Sequence, residues 1–218
     1  MPVTDIPSTE YPELQTLELE LCEYQSVWDD MRSYTLARNN ESADQIWYCQ
    51  HPSVYTLGLN GKRHHLLRQT NIPIVPVDRG GQITYHGPGQ LIAYLLIDID
   101  RLAIGVKELV TGIEQAIIDY LAGLGLHAER KKGAPGIYIE GAKIAALGLR
   151  VKKGRTYHGL SFNVDMDLSP FKDINPCGYE GMPVTQLTDL LGDKCPDIDQ
   201  VKSTLHTHLC HHLGYNSD

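Results

Sequence analysis

Cys177 sits in Asn175-Pro176-Cys177-Gly178-Tyr179, where proline fixes the approach of the chain and glycine lets the backbone fold tightly beside the sulfur. That setting suits an exposed nucleophile. The alternative is a small thiol packed in a turn, because free cysteine often behaves as a core hydrophobe. Lys143 opens a run in which Lys143, Ala145, Leu147, Leu149 and Val151 alternate, so a strand here puts the lysine on a face shared with apolar residues. Burial lowers the proton affinity of an amine, and an amine beside a thiol stabilises the thiolate and exchanges protons with it. As the first residue of its strand, Lys143 has the other option of snorkelling to water. The partner matters for rate: a cysteine of pKa about 8.5 is only a few per cent thiolate at neutral pH, and bringing it near 7 raises that fraction about tenfold.

The second concentration of chemistry is Arg79-Gly80-Gly81-Gln82-Ile83-Thr84-Tyr85-His86-Gly87-Pro88-Gly89-Gln90. Its glycines expose backbone N–H groups, and Arg79 and His86 add donors, as in an anion-binding loop. It matches neither G-x-x-x-x-G-K-[ST] nor G-x-G-x-x-G, so those two kinds of nucleotide-phosphate recognition are excluded. The steric alternative is that glycine leaves room for a straight apolar chain against the backbone, and Gly148 and Gly159 repeat that suggestion. His206, His208, His211 and His212 crowd the C-terminal segment. His208 and His212 have metal-pair spacing but no accompanying carboxylate, so a solvated face is the expected reading, and no metal site is expected.

These residues need a scaffold. A helix is expected from Glu23 to Arg38, followed by extended segments at Gln45 to Gln50, Val54 to Gly58 and Ile74 to Val77. Leu91 to Ile99 is a further strand, with the glycine-rich stretch as a loop before it. Val106, Leu109, Val110, Ile113, Ile117, Tyr120, Leu121 and Leu124 recur at three and four, marking the strongest helix, with Gly125 as its stop. Ile137 to Glu140 and Lys143 to Val151 read as a hairpin turning at Gly141-Ala142, and Lys152 to Arg155 turns the chain again into Thr156 to Val164. A final helix from Asp199 to Leu213 aligns Val201, Leu205, Leu209 and Leu213. The class is therefore α+β, a mostly antiparallel or mixed sheet covered by helices.

The 218 residues suffice for one core, so residues 1–20 read as a polar lead-in and 21–218 as a single domain. A net charge of −8 leaves no basic field for nucleic acid or an anionic membrane; an acidic partner must be met locally, at Lys62-Arg63, Arg130-Lys131-Lys132 or Lys152-Lys153 with Arg155. Cys22, Cys49, Cys177, Cys195 and Cys210 contain no C-x-x-C pair, which argues against a disulfide framework and a zinc knuckle. Cys22, Cys49 and Cys210 are expected as packing residues. With no signal-like start and no apolar run of membrane length, the expected setting is cytoplasmic.

Four ordered blocks, Arg79 to Gln90, Gly141 to Gly148, His158 to Asn163 and Asn175 to Gly178, together with His51-Pro52 and Val54 to Gly58, closely resemble the lipoyl (octanoyl) transferase family. The resemblance spans about residues 24–190. It implies the fold of biotin and lipoate protein ligases, Cys177 as acyl-thioester nucleophile and Lys143 as the residue tuning it. It implies a substrate lined by Arg79, Gly80, Gly81, Gln82, Ile83, Thr84, Tyr85 and His86, by Ala146, Leu147 and Gly148, and by Gly159, Leu160 and Ser161. The implied donor is octanoyl-acyl carrier protein. The implied acceptors are lipoyl domains of 2-oxoacid dehydrogenase E2 subunits and the glycine cleavage H protein. No metal, nucleotide or other cofactor is expected, and the protein is expected to be a monomer. Three rivals remain: an ATP-dependent lipoate or biotin ligase, a thiol hydrolase using Cys177 with His86 or His158, and a non-catalytic carrier-binding module.

Overall fold

The computed structural model describes residues 13–175 and 181–216. Its order is β1 (Leu14–Leu21), α1 (Tyr24–Ala37), β2 (Asp44–Gln50), β3 (Val54–Leu57), β4 (Ile74–Pro76), β5 (Ile83–His86), β6 (Gln90–Leu96), α2 (Val106–Gly123), β7 (Glu129–Lys131), β8 (Ala134–Ile139), β9 (Ala142–Lys152), β10 (Arg155–Asn163), α3 (Leu187–Leu191) and α4 (Ile198–Leu213). A seven-stranded sheet runs β1-β2-β6-β10-β9-β8-β7, and a three-stranded sheet runs β4-β3-β5. Among the strand pairs of the described residues, β1 with β2 and β3 with β4 are parallel and the rest antiparallel, so the expected mixed, mostly antiparallel α+β architecture is what forms.

Both faces of the large sheet are covered, which explains why β6 is apolar from Leu91 to Leu96. Leu91, Ala93 and Leu95 face the core built with α2 and α4, while Ile92, Tyr94 and Leu96 face Tyr24, Val27 and Met31 of α1. The small sheet closes a third cluster, in which Tyr55, Ile83 and Tyr85 meet Phe171 and Ile174. No helix among the described residues is long and apolar enough to cross a membrane.

Three local expectations change. Within the supposed lead-in, Leu14–Leu21 is a strand paired in parallel with β2. Its leucines at 17 and 19 alternate with glutamates, so the segment reads as polar although Leu17 and Leu19 pack under α1. The glycine-rich stretch contains β5, antiparallel to β3, rather than forming one loop. The β8–β9 turn falls at Glu140-Gly141, one residue earlier than expected, because Ile139 pairs with Ala142. Both turn residues have positive φ, 49° and 82°, the type I′ geometry whose twist suits a two-residue hairpin.

The terminal histidines also differ from a solvated face. Although His211 is exposed, His212 Nε2 lies 2.6 Å from Asp119 Oδ2 on α2, and His206 Nδ1 lies 3.0 Å from the Tyr48 hydroxyl on β2. Packing α4 against α2 and the sheet turns those two rings inward.

Candidate active site

Lys143 is buried, with 4% of its surface exposed. Its Nζ donates to Pro135 O at 3.0 Å and lies 5.1 Å from the centre of the Tyr138 ring. Room for the amine is made opposite it: a Cβ on Gly136 would lie 3.3 Å from Lys143 Nζ and 2.5 Å from Ala145 O.

The face that Lys143 occupies is not the one alternation predicts. Tyr138 pairs with Lys143 but Ile137 pairs with Ala145, so Ile144 is an extra residue, a β-bulge. Ile144 and Ala145 both enter the core, and the alternation slips by one. Lys143 thereby falls in phase with Ala146 and joins Thr84, Ala146, Ser161, Asn163 and Phe171 around a cavity of about 310 Å³.

That cavity shares Thr84, Ala146 and Ser161 with a larger one of about 510 Å³. The larger one is lined by Arg79, Gly81, Gln82, Ile83, Thr84 and His86 from the small-sheet side, and by Ala146, Leu147, Gly148, Gly159, Leu160 and Ser161 from the large sheet. Tyr24, Ile92, Tyr94 and His158 complete it. Its walls are largely carbon, as those of small-ligand pockets are. Gly80 and Tyr85 are not lining residues. Gly80 N–H donates to Leu149 O at 3.0 Å, fastening the segment to β9, while Tyr85 packs against Tyr55 and Phe171.

Gly159 pairs with Gly148 at the centre of the β9–β10 ladder. A Cβ at Gly159 would lie 2.0 Å from Ala93 O and 2.8 Å from Leu95 Cδ1, so close approach of β6 demands glycine there.

The cationic and imidazole groups near the cavity serve to hold its walls. Arg79 Nε and Nη2 donate to Thr56 Oγ1 (3.2 and 2.7 Å), and Nη2 also donates to Thr56 O at 2.7 Å. His86 Nε2 lies 3.3 Å from Thr56 Oγ1, and its Nδ1 lies 2.7 Å from Gln90 Oε1. Gln90 Nε2 donates to Asn163 Oδ1 at 2.9 Å, and Asn163 Nδ2 to Thr185 O at 2.9 Å. With the Arg79 donors on Thr56, the simplest proton arrangement has the threonine hydroxyl donating to His86 Nε2 and the Nδ1–H donating to Gln90. Burial pushes the His86 pKa down to about 3, reinforced by the neighbouring His51 and opposed by the Gln90 hydrogen bond. It is a neutral ring at physiological pH, stacked on Tyr24 at 5.8 Å.

The Thr185 end of this chain leads to Lys143. Thr185 N–H donates to Lys143 O at 3.0 Å, and Lys143 N–H donates to Pro183 O at 2.9 Å. Asn175 N–H donates to His65 O at 2.8 Å. Cys177 lies between these two anchored stretches in sequence and is outside the described residues.

Asp78 organises the opposite wall. It accepts from Trp28 Nε1 at 3.0 Å, from His158 Nε2 at 3.0 Å and from the Tyr157 hydroxyl. Burial alone would raise its pKa, but the hydrogen bonds from His158, Tyr157 and Trp28 hold it well below the usual carboxylate range. His158, despite its Asp78 partner, is shifted down by burial. Both candidate histidines of the hydrolase reading are therefore structural parts of the cavity wall.

Asp78, Thr185, Tyr24 and Tyr94 were not legible as site residues, because each reaches the site through contacts distant in sequence, whereas Thr56 carried a signal as part of the Val54 to Gly58 segment. Asn163 carried a signal as the last residue of the His158 to Asn163 block. Among the described cysteines, Cys195 and Cys210 lie outside both cavities, while Cys22 and Cys49 adjoin His51. A hydrogen bond from Cys49 is the main influence lowering the Cys22 thiol pKa, and burial raises that of Cys49.

The sequence model for the lipoyl protein ligase A/B catalytic domain matches residues 24–210. The chain belongs to this family. The octanoyltransferase of Stutzerimonas stutzeri (strain A1501) is 56% identical over 198 residues, 91% of this chain and 90% of that one. Among solved structures, lipoate-protein ligase A bound with ATP superposes with a TM-score of 0.77 at 16% identity, covering 94% of this chain and 88% of that one. The biotin protein ligase from Aquifex aeolicus in complex with biotin and ATP gives 0.59 at 15% identity, covering 94% and 71%. At these identities the two structures speak for the family fold: a mixed sheet with helices on both faces.

Proposed function

We propose that the chain is an acyltransferase that moves an octanoyl group, through a thioester on Cys177, to the target lysine of a lipoyl domain. The reading is supported first by the family's octanoyltransferase relatives. The structural observation that carries it is Lys143: an amine held in a buried notch at one end of paired, glycine-bordered apolar cavities. The two stretches flanking Cys177 are hydrogen-bonded, one to His65 and the other to the main chain of Lys143 itself.

The chemistry balances without a nucleotide. The Cys177 thiolate attacks the carbonyl of octanoyl-acyl carrier protein, and the carrier thiol leaves with a proton delivered by Lys143. The amine of the acceptor lysine then attacks the Cys177 thioester, an amide forms, the C–S bond breaks, and Lys143 takes the amine proton while Cys177 is released. Arg79 to His86, Ala146 to Gly148 and Gly159 to Ser161 would hold the acyl chain, with Gly80 and Tyr85 acting from behind the wall. Acceptors of this chemistry are the lipoyl domains of 2-oxoacid dehydrogenase E2 subunits and of the glycine cleavage H protein.

Incubation with octanoyl-acyl carrier protein, without ATP, should yield one octanoyl adduct on the intact protein, mapped by peptide mass spectrometry to Cys177. Cys177→Ser should lose both the adduct and turnover. An adduct on Cys22, whose thiol is also activated, or a strict ATP requirement would overturn the assignment.

A further inference from the structure

Parallel pairing of β1 with β2 places the residue just after β1 beside the end of β2, and three metal-binding side chains meet there. Cys22 Sγ, Cys49 Sγ and a ring nitrogen of His51 lie within 4.8 Å of one another. We propose that Cys22, Cys49 and His51 form a site for a thiophilic d¹⁰ cation such as Zn²⁺, bound by two thiolates and the His51 Nε2, with the fourth position open to water or a small ligand.

The spacing fits. Zinc–sulfur bonds of about 2.3 Å and zinc–nitrogen bonds of about 2.0 Å in a tetrahedron place ligand atoms roughly 3.5–3.8 Å apart. Cys49 Sγ already lies 3.6 Å from His51 Nε2. The remaining approach is about 1 Å or less, within reach of a χ1 adjustment of Cys22, which is only partly buried.

The imidazole is also oriented as a metal ligand requires. A ligating histidine normally donates its other ring N–H to a carbonyl or carboxylate, which fixes the tautomer. His51 Nδ1 lies 2.6 Å from Cys22 O, so Nδ1 carries the proton and Nε2 presents its lone pair. That lone pair accepts from the Tyr94 hydroxyl at 2.6 Å. Soft sulfur donors with imidazole select zinc or copper(I) over magnesium or calcium.

Cys22, only partly buried, gives the site its access from solvent. Both sulfurs bind as thiolates, any thiol proton passing to solvent, and binding takes Nε2 from the Tyr94 hydroxyl. Because Tyr94 also lines the larger acyl cavity, occupancy reaches that wall through one side chain.

The test uses the full chain carrying Cys177→Ser, so the proposed nucleophile cannot ligate, under a phosphine reductant that keeps thiols free. Titration with Co²⁺ should produce thiolate-to-cobalt charge-transfer and tetrahedral d–d bands saturating at one equivalent, and Zn²⁺ should displace them. Loss of one ligand should weaken binding by more than about 100-fold, since even outer partners of metal ligands are worth 10–100-fold. Cys22→Ser is the main variant because Cys22 is partly exposed; Cys49→Ser and His51→Gln follow, with circular dichroism reporting the fold. Cys195→Ser should leave the affinity unchanged. Absence of the charge-transfer band, or equal affinity in a folded Cys22→Ser protein, overturns the proposal.

Discussion

Replacing Lys143 by methionine isolates the amine from the space it fills. Methionine reproduces most of the unbranched stem, so the notch between Gly136 and Tyr138 stays packed. What disappears is the donor 3.0 Å from Pro135 O, whose loss costs about 1–3 kcal/mol when the carbonyl is left dry. Relief from burying an amine offsets part of that cost, so the fold should survive with its urea midpoint only modestly lowered. The chemical loss should be larger. A positioned acid–base group contributes roughly 10²–10⁴-fold, equivalent to about 3–5 kcal/mol of barrier. Rapid-quench measurement of both half-reactions, acylation by octanoyl-acyl carrier protein and transfer to a lipoyl domain, should show both slowed by that factor. The pH profile of Cys177 alkylation should move up toward about 8.5, the value of an unassisted thiol. A folded Lys143→Met protein with either half-reaction within about threefold of the parent, or with an unchanged alkylation profile, would refute the role given to the lysine.

Gly159→Ala should destabilise the protein by about 1–3 kcal/mol through overpacking, read as a shift in chemical denaturation, because its Cβ would meet Ala93 O at 2.0 Å. The same change at Gly123, where a Cβ would meet nothing within 4 Å, should leave stability unchanged or improve it by a few tenths to about 1 kcal/mol. For His86, the folded pKa of about 3 lies below the ordinary value of 6.5, so the unfolded chain takes up a proton that the folded one refuses. Stability should therefore be unaffected by His86 above about pH 7 and fall as pH drops from 6.5 toward 3, at up to about 1.4 kcal/mol per pH unit. His86→Gln should remove about one proton from that slope, and an unchanged slope in urea titrations at several pH values would show that the ring is not held neutral.

The periodic segments were legible because their signals are local, although Val106 of the expected α2 stripe is exposed. The three-and-four spacing of α2, the leucine stripe of α4 and the uninterrupted apolar run of β6 each state which faces must be covered. The short blocks around Lys143 and Gly159 likewise stand out by residue type. Alternation along β9 predicted a buried Lys143 correctly but on the wrong face, since the bulge at Ile144 is set by how β8 pairs with β9. Composition made Leu14–Leu21 look like a polar lead-in, and only its pairing with β2 shows which leucines are covered.

What the sequence by itself determined is therefore the long periodic elements, the α+β class and the residue blocks that mark the family, while β1, β5, β7 and α3 emerged only with the tertiary structure. Tertiary structure alone decided which blocks share a cavity, that Arg79 and His86 brace its wall, and that Cys22 reaches Cys49 and His51. The physical reason is range. Helix and strand periodicity is written in neighbouring residues, whereas a one-residue slip in strand register or a hydrogen bond between distant segments depends on the packed whole.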